Sequence, residues 1–140
     1  MLDVSCIIIN YNTSKYTYEA VISLFETHNN TIKIEIIVVD NASKEEDYIS
    51  LKSALKKLNK NNLQLIRSTI NTGFGGGNML GVAHASPTKY YAFINNDTLQ
   101  VSDNCLKHLK DFMETEPDAG LCSPQMLDEH KNFRVTIDHF

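Results

Sequence analysis

The sequence predicts an α/β fold in which a mostly parallel sheet carries helices on both faces. Short apolar runs rich in β-branched residues alternate along the chain with segments of helical periodicity, and this order is typical of parallel sheets with right-handed crossovers. The apolar runs are nearly continuous, as expected of strands that are covered on both faces. A length of 140 residues suits one domain with a sizeable core, so residues 1–140 are predicted to be a single domain.

The first half of the chain alternates between strands and helices. Residues 4–9 form an apolar run interrupted by one serine and predict the first strand, and residues 34–39, almost all β-branched, predict the second. Apolar residues at helical spacing within residues 15–27 predict the helix between them. Ser43 and Glu46 match a capping box at the start of a second helix. The buried stripe of that helix has its members three or four positions apart: Tyr48, Leu51, Leu55 and Leu58.

The alternation continues through the middle of the chain. Residues 63–67 predict a third strand and residues 90–94 a fourth. Between them, a glycine-rich loop leads into a helix over residues 78–85, which Ser86-Pro87 would end.

The last part of the chain is expected to contain one more helix and one more strand. Ser102 or Asp103 would cap the helix, and its inward side chains would be Leu106, Leu109 and Met113. A turn then leads into a fifth strand at residues 119–122. The complete order describes a Rossmann-like sheet.

Composition excludes several classes of function. The formal net charge of −4 lacks the basic surface that binds nucleic-acid phosphates, so no nucleic-acid partner is expected. The cysteines are too few and too scattered for a disulfide framework or a zinc site, and Cys6 and Cys122, inside apolar runs, are predicted to be buried thiols. No apolar stretch approaches the roughly 20 residues of a membrane span. No signal-peptide pattern begins the chain, so a cytoplasmic location is expected.

Unusual polar and glycine residues gather at the carboxyl ends of the predicted strands, where open parallel sheets bind ligands. They occupy residues 10–12, 40–43, 71–78 and 95–97, whereas the opposite ends carry ordinary loop residues. Clustering at one edge predicts a binding site. The triplet Asn95-Asn96-Asp97 sets one carboxylate beside two amides, oxygen donors that suit Mg²⁺, Mn²⁺ or a phosphate-bearing ligand. Asn and Asp are also common in turns, so the triplet by itself also fits a plain turn.

The glycine-rich segment 73–77 matches neither of two common nucleotide-binding fingerprints. It follows the third predicted strand rather than the first, and Asn78 stands where a dinucleotide fingerprint has its third glycine. No Lys-Ser or Lys-Thr pair follows it, so a Walker-type phosphate loop is excluded. Its glycines would let backbone N–H groups approach a phosphate or sugar closely, or would form a flexible turn.

Four segments, taken in order, resemble family 2 glycosyltransferases, which are inverting enzymes with a GT-A fold: residues 7–12, 37–43, 71–78 and 95–97. The likeness is greatest to the rhamnosyltransferase-like subgroup and implies the N-terminal, nucleotide-sugar-binding half of such an enzyme. It implies that Asp97 holds a Mg²⁺ or Mn²⁺ ion on the diphosphate of the donor. The residues that it assigns to nucleotide-sugar binding are polar and glycine positions of the four clusters: Asn10, Tyr11, Asn12, Asp40, Asn41, Asn71, Gly73, Gly76, Asn78, Asn95 and Asn96.

The resemblance also implies hexosyl or rhamnosyl transfer from a nucleoside diphosphate sugar to a glycan or lipid-linked acceptor, in polysaccharide biosynthesis. Its catalytic base belongs to an acceptor half beyond Phe140, and Glu129, Asp138 and His139 come too early in the chain. The chain alone is therefore expected to be inactive. The Asn41 amide can both donate and accept, which suits thymine or uracil, and after rotation it also suits cytosine. A dTDP- or UDP-linked donor is expected, with dTDP slightly ahead because of the rhamnosyltransferase likeness. Oligomeric state and peripheral membrane association of a longer protein stay open.

Two positions depart from the pattern of the family. Asn95 replaces the first Asp of the Asp-x-Asp motif, which leaves one carboxylate for the metal, and Met79 stands where such proteins usually carry a second Asn. Two other functions stay open: a non-catalytic nucleotide-sugar-binding module and a sugar nucleotidyltransferase. The latter should carry a glycine-arginine-lysine phosphate loop after the first strand, and residues 10–12 do not form one.

Overall fold

A computed structural model describes residues 1–128 and 130–134 of the chain. Within these residues four strands alternate with four helices. The strands are β1 (Leu2–Asn10), β2 (Ile34–Asn41), β3 (Leu63–Ser68) and β4 (Thr88–Ile94). The helices are α1 (Ser14–Thr27), α2 (Glu45–Lys57), α3 (Gly73–His84) and α4 (Cys105–Thr115). None of these helices has the length and apolarity to span a membrane. The predicted α/β class and the alternation of strands and helices are confirmed.

The strands of the described sheet are all parallel, in the order β3-β2-β1-β4. From β1 the chain moves outward to β2 and β3, and it then returns to place β4 on the other side of β1. Asn10 at the end of β1 is the register partner of Asp40 on β2, and Ile8 pairs with Ile94 on β4. The direction of the connections therefore reverses between β1 and β4. Ligands of open parallel sheets bind at the carboxyl ends of strands at such a switch point.

The core lies on both faces of the sheet, as predicted. One face packs against α1, α2 and the first turn of α4 in a cluster that includes Cys6, Ile8, Val21, Leu24, Ile36, Val38, Leu51, Leu55 and Leu106. The other face packs against α3, whose Gly77 and Gly81 lie against Ile9 and Ile7. The Cys6 thiol is buried, as predicted. Burial, together with the negative charge of Glu35, raises the pKa of this thiol to about 12, so the thiol is unreactive.

The glycine-rich segment is part of a helix, and the predicted start of that helix at residue 78 is wrong. α3 begins at Gly73, whose φ of 71° is a left-handed conformation that favours glycine. A Cβ atom on Gly81 would lie 2.5 Å from Ile7 Cγ2, so α3 can pack this closely only with glycine at that position. Because glycine is a poor helix former, the run of glycines in the sequence indicates a loop. In the fold, helical glycines let α3 pack closely against the sheet.

Neither predicted helix cap forms. Ser43 is not the residue that precedes the first turn of α2, and that helix has no side-chain cap, so the capping box with Glu46 is wrong. α4 begins after Asn104, whose φ of 58° is left-handed, rather than after Ser102 or Asp103. The hydroxyl of Ser43 makes hydrogen bonds at the end of β1 instead, because tertiary partners there compete with the local cap.

The predicted fifth strand at residues 119–122 is absent from the described sheet. A turn follows α4, and Leu121 is 85% exposed. Cys122 is half-buried rather than buried as predicted, and its Sγ lies 3.9 Å from the carbonyl oxygen of Leu109. The segment thus stays beside α4 and does not pair with β4. The pattern of a short apolar run does not by itself distinguish a strand of the sheet from a segment that packs elsewhere.

Candidate functional site

A cavity of about 410 Å³ opens at the carboxyl ends of the strands, beside the switch point between β1 and β4. The end of β1 and the loop after it form one wall, the turn after β4 forms a second, and the start of α3 with the end of β2 forms a third. The residues that line it are Ile9, Tyr11, Thr13, Asn41, Asn71, Gly73, Phe74, Ile94, Asn95, Asn96 and Asp97.

Many of the predicted site residues line this cavity: Tyr11, Asn41, Asn71, Gly73, Asn95, Asn96 and Asp97. The others do not line it: Asn10, Asn12, Asp40, Gly76 and Asn78. Asn10 and Asp40 are completely buried, so in this conformation they support the site from within the protein. Sequence analysis did not single out Thr13 or Phe74. Phe74 is 59% exposed. Its signal in the sequence was a large apolar residue among glycines after a strand.

Asn10 connects the ends of β1 and β2 to both α1 and α2. Its amide nitrogen lies 2.9 Å from Asp40 Oδ1, 2.9 Å from Asp47 Oδ2 and 3.0 Å from Ser43 Oγ. Its amide oxygen accepts the Thr17 hydroxyl at 2.7 Å. Because a carboxylate only accepts hydrogen bonds, the two aspartates determine that the nitrogen of Asn10 faces them. The buried amide therefore holds the loops around the cavity in place.

Asp47, which sequence analysis did not single out, receives hydrogen bonds from two elements. Its Oδ2 accepts from the Asn10 amide, and its Oδ1 accepts the Ser14 N–H at 3.0 Å. Burial opposes the charged form, but the hydrogen bonds from Asn10 and Ser14 outweigh it and lower the pKa of Asp47 below its ordinary value of 3.8. Asp47 also lies in the acidic first turn of α2, where a negative charge is favourable. That acidic turn was the only signal in the sequence.

Asn41 joins the end of β2 to the segment that opens α3. Its amide nitrogen donates to Asn71 Oδ1 and to the Gly73 carbonyl, both at 3.0 Å, and its amide oxygen accepts the Thr72 N–H at 3.1 Å. Asn41 is 2% exposed, and its amide makes these hydrogen bonds within the protein although the residue lines the cavity. Contact of Asn41 with a base stays a prediction, and such a contact would compete with these hydrogen bonds.

Arg67 lies at a second concavity of about 380 Å³ at the ends of β2 and β3, which is lined by Ala42, Ser43, Arg67, Ser68 and Thr69. Its guanidinium stacks 4.0 Å from the centre of the Tyr48 ring, and its Nη1 lies 2.6 Å from Glu45 Oε2. The hydrogen bond to Glu45 raises the pKa of Arg67. Its Nε lies 3.6 Å from Asp40 Oδ2, a buried oxygen that accepts no hydrogen bond within the described residues. Arg67 therefore balances the buried charge of Asp40.

The Asn95-Asn96-Asp97 triplet forms a turn after β4 that is anchored to α1. The carbonyl of Asn95 accepts the N–H and the hydroxyl of Thr98 at 3.3 and 2.8 Å. The amide nitrogen of Asn96 lies 2.6 Å from Thr13 Oγ1 and 2.9 Å from Thr17 Oγ1. Asp97 stays exposed at the cavity. A turn and a ligand site are therefore compatible descriptions of the same residues.

The oxygen donors of this turn fit a divalent cation that arrives with a phosphate-bearing ligand. Within the described residues, Asp97 is the one carboxylate that lines the cavity, and no group of three or more His, Cys, Asp or Glu residues is found there. Mg²⁺ and similar ions are commonly held by one or two carboxylates together with phosphates and water. Asp97 and the side-chain oxygens of Asn95 and Asn96 would supply the protein ligands.

A parallel α/β sheet with a cavity at its switch point and a helix beginning beside it is the architecture typical of nucleotide-binding domains. The chain matches the model of Glycosyl transferase family 2 over residues 5–139, and it belongs to that family. The predicted family is thus confirmed, whereas the rhamnosyltransferase-like subgroup remains a prediction. No curated protein sequence matches the chain significantly.

Solved structures that are similar to this chain include S. aureus TarS and a mannosyltransferase. S. aureus TarS 1–349 in complex with UDP is 26% identical, with a TM-score of 0.66 over 81% of this chain and 32% of that one. Its complex with UDP-GlcNAc is 24% identical, with a TM-score of 0.65 over 81% and 32%. The mannosyltransferase PcManGT from Pyrobaculum calidifontis, in complex with GDP-Man and Mn2+, is 19% identical, with a TM-score of 0.70 over 81% and 34%. The chain thus spans about a third of the length of these structures.

Proposed function

We propose that this chain is the donor-binding part of a glycosyltransferase and holds a nucleoside diphosphate sugar in the cavity at the switch point. The observation that carries the proposal is an exposed carboxylate, Asp97, that shares one cavity with the amides of Asn71 and Asn95 and with the start of α3. These are the groups that a metal-bound diphosphate requires: a cation ligand, hydrogen-bond donors and a helix N-terminus. Family membership, and relatives in complex with UDP, UDP-GlcNAc and GDP-Man, support the same ligand class.

Asp97 would hold a Mg²⁺ or Mn²⁺ ion together with the diphosphate of the donor. The ion supplies positive charge where negative charge develops on the diphosphate as the glycosidic bond breaks. Manganese accompanies GDP-Man in the structure of PcManGT, which supports a divalent ion in this chain as well. The residues of the chain bind and orient the donor, and the anomeric carbon stays open to the acceptor.

The nucleobase would pack against Tyr11, a residue that is 50% exposed at the wall of the cavity. A dTDP- or UDP-linked donor is expected from the Asn41 amide, which can match both the N3–H donor and the carbonyl acceptors of thymine or uracil. Such a contact would replace at least one of the present hydrogen bonds of Asn41. Because one relative binds GDP-Man, membership of the family does not determine the base.

The transfer itself would be inverting, with a hexosyl or rhamnosyl group passing to a glycan or lipid-linked acceptor in polysaccharide biosynthesis. A base would remove the proton of the acceptor hydroxyl as that oxygen displaces the diphosphate. We place this base beyond Phe140, in an acceptor half of a longer cytoplasmic protein. The sequence analysis does not assign this role to Glu129, Asp138 or His139, because they come too early in the chain. All three lie outside the described residues.

Calorimetric titration with UDP, dTDP and GDP, each with and without Mn²⁺, tests the proposal. We expect one of the pyrimidine nucleotides to bind most tightly and Mn²⁺ to increase its affinity. Asp97→Ala should abolish most of that increase, because the ion would lose its one carboxylate ligand and keep only neutral amide oxygens, phosphate and water. Asp103→Ala removes an exposed carboxylate outside the cavity and should keep the increase. The absence of metal-dependent binding for all three nucleotides would overturn the proposed function.

A further inference from the structure

The turn that carries Asp97 is held by hydroxyl groups of another element. The amide nitrogen of Asn96 lies within hydrogen-bond distance of Thr13 Oγ1 and Thr17 Oγ1, at 2.6 and 2.9 Å. Thr17 is a completely buried residue of α1 and does not line the cavity. It therefore touches the turn beside the candidate cation site without being able to touch a ligand there.

The hydrogen bonds at Thr17 have a defined direction. Asp40 and Asp47 only accept, so the amide nitrogen of Asn10 faces them and its oxygen faces Thr17. The single hydroxyl hydrogen of Thr17 is donated to that oxygen at 2.7 Å rather than to the Thr13 carbonyl, which is farther away at 3.3 Å, and neither choice leaves a hydrogen for Asn96. Thr17 Oγ1 can then only accept from Asn96, which must direct its amide nitrogen inward.

The orientation of Asn96 is therefore determined by the carboxylates of Asp40 and Asp47, which it does not contact. If its amide were flipped, its oxygen would face Thr17 Oγ1, which has no hydrogen left to donate. With the nitrogen held inward, Asn96 Oδ1 makes no hydrogen bond within the described residues, and the residue lines the cavity next to Asp97. The turn thus offers the cavity an amide oxygen beside a carboxylate.

We propose that Thr17 is a positioning residue that orients Asn96, so that the amide oxygen of Asn96 and the carboxylate of Asp97 act together on the cation of the donor. The inference rests on the proposed function, because it needs a phosphate-bound divalent ion at Asp97. Carboxylate and carbonyl oxygens are the ligands that Mg²⁺ and Mn²⁺ prefer. Loss of the Thr17 hydroxyl should accordingly weaken the part of nucleotide binding that depends on metal and leave the rest unchanged.

Two substitutions at Thr17 and one control test this role. Thr17→Val keeps the shape of the side chain but can neither donate nor accept a hydrogen bond, whereas Thr17→Ser keeps the hydroxyl. Thr27 near the end of α1 donates its hydroxyl to the Ser23 carbonyl at 2.7 Å. Thr27→Val therefore controls for the removal of a threonine hydroxyl from the same helix at a distance from the cavity.

The measurement is the affinity gain that Mn²⁺ produces for whichever of UDP, dTDP and GDP binds the wild-type protein most tightly. Thr17→Val should reduce this gain about 3- to 10-fold, the effect of losing the hydrogen bond that orients Asn96. It should also change the electron paramagnetic resonance spectrum of the bound Mn²⁺, and the affinity without metal should stay constant. Thr17→Ser and Thr27→Val should behave as the wild type does.

Two results would overturn the inference alone: a Thr17→Val protein with the wild-type Mn²⁺ gain, or one that loses affinity equally with and without metal. The second result would indicate a general structural role. If Thr17→Val does not fold, Thr17→Cys replaces it, because the thiol is similar in size and hydrogen-bonds only weakly. Thr17→Cys should then show the reduced Mn²⁺ gain that is expected of Thr17→Val. Wild-type protein without metal-dependent nucleotide binding would overturn the proposed function and this inference together.

Discussion

Gly81 of α3 lies directly against Ile7 of β1, so closely that a Cβ atom on the glycine would be 2.5 Å from Ile7 Cγ2. Ile7 is completely buried in the central part of the sheet and cannot move aside without disturbing the core. The contact determines how near α3 approaches β1. It thereby positions the first turn of α3, which forms one wall of the cavity.

Replacement of Gly81 by alanine should destabilise the protein by about 1–3 kcal/mol, the usual penalty of overpacking a core. Gly75 is the matched control, because it lies in the same helix and a Cβ atom there would meet nothing within 4 Å. Gly75→Ala should leave stability unchanged or raise it by about 0.5–1 kcal/mol, since alanine favours helix. Urea denaturation followed by circular dichroism gives both values. Equal stability of the two variants would contradict the close contact.

Asn41→Leu should disconnect the end of β2 from the start of α3. The variant leaves the Thr72 N–H and the Asn71 side chain without this partner, which should cost about 1–3 kcal/mol of stability. Nucleotide affinity should fall as well, because the wall of the cavity loses its anchor. Urea denaturation and the nucleotide titrations check the two effects separately.

The nucleotide panel also decides whether Asn41 contacts the base. If it does, Asn41→Leu should reduce the preference for UDP or dTDP over GDP, whereas a purely structural role lowers all affinities alike. Asn61→Leu, at an exposed position of the opposite sheet edge, serves as the control and should change neither property. A wild-type protein that binds GDP best would contradict the pyrimidine prediction.

Asp47 should make the stability of the protein sensitive to acid. Its pKa is lowered in the folded protein, so its contribution is complete above the unfolded pKa and is lost as the pH falls through the folded pKa. In Asp47→Asn, one of the two carboxylate oxygens becomes an NH2 group that faces a donor, either the Asn10 amide or the Ser14 N–H. This should lower the free energy of unfolding by about 1–2 kcal/mol at neutral pH. The difference from the wild type should be constant above about pH 5 and should shrink below about pH 3.8.

Urea denaturation of the wild type and Asp47→Asn over a series of pH values measures this difference. Asp103→Asn provides the control, because Asp103 is an exposed aspartate. Its difference from the wild type should stay small at every pH. A gap between wild type and Asp47→Asn that grows on acidification would have the wrong sign for a lowered pKa and would refute the assignment.

The purified chain of residues 1–140 should bind a donor without transferring its sugar. Within the described residues, the one carboxylate at the cavity is Asp97, which is assigned to the cation, so none remains there to remove a proton from an acceptor. An assay for released nucleoside diphosphate, with glycan and lipid-linked acceptors, checks this. Acceptor-dependent turnover by this chain would contradict it, and turnover by a longer parent protein would separate an enzyme from a non-catalytic binding module.

The order of strands and helices, and the edge at which the site lies, follow from the sequence by itself. A β-branched run such as residues 34–39 favours an extended backbone, and β2 covers Ile34–Asn41. Alternation with helices makes the strands parallel, and parallel strands end at one edge. Tyr11 and Asp97 could therefore be expected on the same side of the sheet, and both line the cavity.

Only the tertiary structure decided which polar residues face the cavity and which are buried. Asn10 and Asp40 follow the pattern of ligand-binding residues at strand ends, yet adjacent strands bring them into register and they bond to each other. The placement of β4 beside β1 brings Asn96 to Thr17, although nothing in either segment encodes that neighbour. Periodicity reports the conformation of one segment, whereas the exposure of a polar group depends on partners from distant parts of the chain.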